Sequence, residues 1–138
     1  MTDPKFLSEE WCSEATNIEH SMGDEVLKIF KKPAQFTHVL QFEVGDRPGV
    51  VVQGEYVGGR VKAWTSGNLH PADQVWASFR AKLEHFQEAT SGRTPAASLV
   101  MGGKIRLVKG SMKDAIENAE ALNFLLRSWG TVPTDWDI

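Results

Sequence analysis

Cysteine is nearly absent: Cys12 is the only one in 138 residues. No internal disulfide can form, so an oxidising compartment is not required. Long apolar runs are also missing, and none approaches the roughly 18 residues that span a bilayer. The opening Met1-Thr2-Asp3-Pro4 has neither a basic flank nor an apolar stretch, so no secretory leader is expected. The closing Trp136-Asp137-Ile138 is not a peroxisomal Ser-Lys-Leu-type address. Positive charge is in deficit, with 15 Lys and Arg against 18 Asp and Glu and a pI near 5.8. That balance argues against nucleic acid as a partner, which calls for a basic stripe. The expectation is one cytoplasmic domain over residues 1–138. At this size folding hides about 68–70% of the unfolded surface, enough for an apolar core.

Charge is unevenly spread. Residues 1–30 hold seven acids against Lys5 and Lys28, a net of −5, while residues 31–138 net +2. Lys104, Arg106, Lys109 and Lys113 lie close together. Strand alternation reads them as a solvated face, with transient contact to an anionic membrane surface as the alternative.

The hydrophobic period changes along the chain. Leu7, Trp11, Ala15 and Ile18 recur every three or four residues, which predicts a helix over 7–20 with its acids mostly outward. Gly23-Asp24 opens a second short helix over 25–31, closed by Pro33. Phe36, His38, Leu40, Phe42 and Val44 then alternate with more polar residues, the repeat of a half-buried strand. A turn at Asp46-Arg47-Pro48-Gly49 leads to a strand through Val50, Val52 and Tyr56, and Gly58-Gly59 suits a tight hairpin into a third over 60–65. In that third strand Val61 and Ala63 are expected inward, Trp64 outward with Lys62. Val75, Phe79, Leu83 and Phe86 predict one helix from Pro71 to about Ala89. A short segment, 96–101, leads to a strand carrying Ile105 and Leu107. Ser111 then caps a final helix whose buried stripe runs through Met112, Ile116, Ala119, Leu122 and Leu126. Helices before and after a strand meander make this an α+β domain.

Reaction chemistry is hard to find. No phosphate-cradling glycine loop, no His-Glu-x-x-His and no Gly-x-Ser-x-Gly elbow occurs. None of the four histidines pairs with the cysteine at zinc-finger spacing, so neither metal nor cofactor is expected. Cys12 lacks a basic neighbour and reads as a packing residue rather than a nucleophile. Gln41 and Gln53 are expected to face solvent. His38 and Tyr56 fall on inward phases and read as core residues; together they are the one plausible centre for a small isomerase-like enzyme.

The run from Gly102-Gly103-Lys104 through Ile105-Arg106-Leu107-Val108-Lys109-Gly110-Ser111-Met112 into an Ala/Leu-rich helix resembles the C-terminal part of the sterol carrier protein-2 family. The likeness in element order covers about residues 7–129, leaving 130–138 as a C-terminal tail, and individual positions match over 98–126. The chain departs from the family pattern at Gly67-Asn68-Leu69-His70-Pro71-Ala72-Asp73, where an acidic Ser/Asp-rich helix start is usual. The resemblance implies a mixed five-stranded sheet covered on one face by helices, with an apolar tunnel between the layers. It also implies a non-catalytic protein that binds and transfers a fatty acid, acyl-CoA or sterol-like lipid. The lining expected for such a tunnel is Leu40, Phe42, Val52, Val61, Phe79, Leu83, Phe86, Met101, Ile105, Leu107, Met112 and Ile116. Met101 and Met112 are flexible enough to adapt to different occupants, and the final helix would serve as a lid. An alternative role is that of an accessory partner of a lipid- or steroid-processing enzyme, which an exposed apolar patch at Trp64 or Trp136 would support.

Overall fold

A computed structural model describes residues 2–138. Ser8 caps the first helix, α1 (Glu9–Ser21), its hydroxyl accepting from the Trp11 amide at 3.3 Å, with Glu9 and Glu10 at the positive end of the dipole. A 3-10 segment, Gly23–Ile29, follows where a second short helix was expected over 25–31. Three antiparallel strands come next: β1 (Val39–Val44), β2 (Val51–Val57) and β3 (Arg60–Ser66).

The chain then departs from its helical period. Residues Ala77–Ala81 form β4, parallel to β1, and only Leu83–Thr90 form a helix, α2. The four-residue spacing of Val75, Phe79 and Leu83 suggested one continuous helix. Ala77, Phe79 and Ala81 also alternate, however, and β4 lies between β1 and β5 (Ile105–Lys109), where nearly all of its residues are buried. Sheet neighbours on both sides outweigh the local period. Helix α3 (Ala96–Met101) precedes β5, and the last helix is broken in two, α4 (Met112–Glu117) and α5 (Ala119–Trp129), at Asn118. The sheet order is β3-β2-β1-β4-β5, a mixed five-stranded arrangement of the kind the resemblance implied.

One face of the sheet packs beneath the helices. Phe42 lies 5.0 Å from Trp129 and 5.2 Å from Phe79, and Trp129 meets Trp11 and Trp64 edge-on at 5.2 and 5.3 Å. Such contacts add about 0.5–1.5 kcal/mol per pair beyond the area they bury. The other face is crossed by the loop after β3. Gln53 is buried there, not solvated: its Oε1 accepts from the His70 amide at 2.7 Å, and its Nε2 donates to the His70 carbonyl and to Gln41. The departure at residues 67–73 is thus a strap that needs a polar anchor beneath it. Residues 130–138 run back along the N-terminus, where the Phe6 amide donates to the Asp135 carbonyl at 3.1 Å and the Trp136 ring packs tilted against Phe6 at 4.4 Å.

Trp64 is the main correction on the sheet. Expected outward, it is 4% exposed. A β-bulge leaves Lys62 unopposed, because Glu55 pairs with Ala63 and Tyr56 with Val61. The extra residue resets the alternation, so Val61 and Trp64 both point into the core.

Candidate functional site: an apolar cavity under a short helix

A small cavity of about 40 Å³ lies between the layers. Its floor is the inner face of the sheet, with Leu40, Tyr56, Ala77 and Phe79. Val26, Ile29, Phe30 and Phe36 close it from the 3-10 side, and Ala121, Leu122, Phe124 and Leu125 from α5. Its roof is α4, through Asp114 and Ala115, flanked by Ser111 and Asn118. None of the six α4 residues is buried, so this element is the weakest part of the enclosure.

Helix α1 brings one charge into the wall. Glu19 continues the Trp11–Ala15 stripe one further turn and is 6% exposed. The Tyr56 hydroxyl donates to its Oε2 at 2.8 Å and the Trp64 indole to its Oε1 at 3.2 Å. Burial pushes the Glu19 pKa up, opposed by those two donors. Tyr56 is wholly enclosed; burial and the neighbouring carboxyl hold its pKa well above the usual phenol value. The Trp64 ring reaches Glu19 by lying across Gly54, where a Cβ would overlap the ring. Glu19 and Gly54 were not singled out in the sequence. The four-residue step from Ala15 was the available sign of Glu19, masked by its place among the seven N-terminal acids.

The sequence-predicted lining divides three ways. Leu40 and Phe79 lie in the wall. Phe42, Val52, Val61, Leu83, Phe86 and Ile105 are buried elsewhere in the core, and Leu107 is packed at its margin. Met101, Met112 and Ile116 stand on the surface, at 70%, 45% and 54% exposure. The break at Asn118 explains the last two, because it turns their side of α4 away from the stripe that α5 buries. Exposed Val108, Met112 and Ile116 instead alternate with the exposed bases Lys109 and Lys113.

Catalytic groups are poorly assembled. The His38 ring stacks flat on Trp76 at 4.0 Å, and burial lowers its pKa despite the opposing charge of Asp114. Burial takes the Cys12 thiol up to about 12, so it is no thiolate at neutral pH. A second, larger cleft of about 500 Å³ shares Tyr56 and Trp76 with the cavity but opens broadly to solvent. Among the described residues no cluster of three His, Cys, Asp or Glu could hold a metal, and no helix is long and apolar enough to cross a membrane. The apolar patch expected at Trp64 or Trp136 is also missing: Trp64 is buried and Trp136 half-buried against Phe6.

No protein-family model matches the chain, and no curated protein matches it in sequence. Solved structures do. Over 93% of this chain and 99% of the other, a crystal structure of sterol carrier protein 2 superposes with a TM-score of 0.78 at 19% identity. The solution structure of a conserved hypothetical protein from Thermus thermophilus gives 0.77 at 18% identity, covering 98% of this chain and 94% of that one. The apo form of sterol carrier protein 2 from Yarrowia lipolytica gives 0.57 at 17% identity, with coverages of 91% and 94%. In its mixed five-stranded sheet, its helical cover and its extent, the chain has the sterol carrier protein-2 fold.

Proposed function

We propose that this chain is a non-catalytic carrier that binds the apolar tail of a lipid between its sheet and its last two helices. The observation that carries this reading is the apolar cavity roofed by α4, in a fold shared with proteins named as sterol carriers. Its small volume fits an empty carrier. A void costs about 24 cal/mol per Å³, so 40 Å³ costs on the order of 1 kcal/mol. An open, empty tunnel of roughly 300 Å³ would cost about 7 kcal/mol, comparable to the whole stability of a domain. The unliganded interior therefore closes, and a ligand has to reopen it.

Reopening demands an element that can move cheaply, and α4 meets that demand. Each methylene that enters returns about 0.8 kcal/mol, so a chain of a dozen carbons can offset the displaced contacts. Tryptophan emission provides the test, because Trp76 lines the cavity and Trp64 lies behind Glu19. Titration with long-chain alcohols, fatty acids and sterols should give a saturable one-to-one change for at least one class. Unchanged emission and unchanged melting temperature with every class would remove the carrier reading.

A further inference from the structure

The carboxyl groups in the cavity wall have no basic side chain beside them there. Glu19 and Asp114 line the wall, and no Lys or Arg does. Nearby bases offset this only slightly: His20 opposes the burial shift at Glu19, but less than Tyr56 and Trp64 do. His38 lies just outside, stacked on Trp76, where burial disfavours its charged form. The Lys109 ammonium, in the adjoining cleft, is engaged by the Ala72 carbonyl. The His20 ring faces outward and bonds the Val61 carbonyl at 2.8 Å.

Glu19 also retains bonding capacity. An ionised carboxylate offers about four lone-pair sites, and only two are used, by the Tyr56 hydroxyl and the Trp64 indole. An indole N–H can only donate, so the Glu19 oxygen it meets is an acceptor. What this wall can take is another donor; another anion would be desolvated beside two carboxylates with nothing to pair with it.

Resting on the carrier reading above, we infer that the cavity selects lipids whose head group is an uncharged hydrogen-bond donor or a cation, and rejects free carboxylates, with Glu19 as the specificity-determining residue. The hydroxyl of a long-chain alcohol or sterol-like molecule fits, as does an amine. A free fatty acid does not.

Calorimetric titration at pH 8 with 1-dodecanol, dodecylamine and dodecanoate tests this, since all three stay monomeric at micromolar concentration and differ only at the head. Dodecanol and dodecylamine should bind at least tenfold more tightly than dodecanoate. Glu19→Gln, which keeps the shape and the acceptor for Trp64, should bring dodecanoate to within threefold of dodecanol. Asp114→Asn, on exposed α4 and outside the buried hydrogen bonds, should narrow the gap by a smaller factor and guards against a Glu19 variant that fails to fold. Dodecanoate binding as tightly as dodecanol to the unaltered protein would overturn the inference while leaving the carrier reading intact. A tenfold gap that persists in both variants would overturn the role of these two acids. Binding of none of the three ligands would overturn the carrier reading and the inference with it.

Discussion

Placing the Glu19 carboxyl among apolar side chains raises its pKa above the ordinary 4.5, so the folded chain holds that proton more tightly than the unfolded one. The stability this contributes is complete below the unfolded value and is lost as pH rises through the higher folded value. Asp46, Glu88 and Asp135 act in the opposite sense: hydrogen bonds hold their pKa values down, so their contribution fades as acid is added. A comparison of Glu19→Gln with the parent cancels those three. Urea melts should show the variant gaining on the parent between pH 4 and pH 8; a constant difference across that range would mean that Glu19 titrates as it does in the unfolded chain. Gly54 makes a second prediction at this scale. Its hydrogen faces the Trp64 ring with no room for a methyl group, so Gly54→Ala should cost about 1–3 kcal/mol through overpacking, read as a lower urea midpoint. An unchanged midpoint would show that the ring can move aside.

At the scale of elements, what was legible in the sequence followed from period and caps. Helix α1, the first three strands, β5 and the Ser111 cap all lie within a few residues of their sequence-based positions. The failures share a cause, which is that pairing with distant neighbours overrides the local repeat. Strand β4 looked helical because its partners in β1 and β5 are remote in sequence. Trp64 looked exposed because a bulge cannot be read from one strand alone. Gln53 looked solvated because the loop that covers it folds back from residue 70. The site was the least legible part: inward phase marked Leu40 and Phe79, but the break at Asn118 moved Met112 and Ile116 outside. That same break makes α4 a separate short roof, and a dynamic prediction follows. Amide hydrogen exchange should be faster across Met112–Glu117 than across Ala119–Trp129 in the free protein, and should slow in α4 when lipid is bound. Equal protection in the two helices, with no change on lipid addition, would leave α4 as fixed cover.

At the scale of the whole molecule, two regions are packed differently. The aromatic cluster of Phe6, Trp11, Phe42, Trp64 and Trp129 ties the N-terminus, sheet, α1 and α5 together, and the returning C-terminal residues reinforce it. Away from it, the space among the 3-10 segment, β1, β4, α4 and α5 is only loosely roofed. The proposed carrier role requires the first region to stay fixed while the second opens. Methyl-labelled nuclear magnetic resonance reads both regions at once. Adding 1-dodecanol should shift the methyls of Val26, Leu40, Leu122 and Leu125 saturably while those of Leu99, Val100 and Val132 stay still. Shifts confined to exposed Met101, Val108 and Met112, or no saturable shift at the cavity methyls, would contradict a ligand held inside.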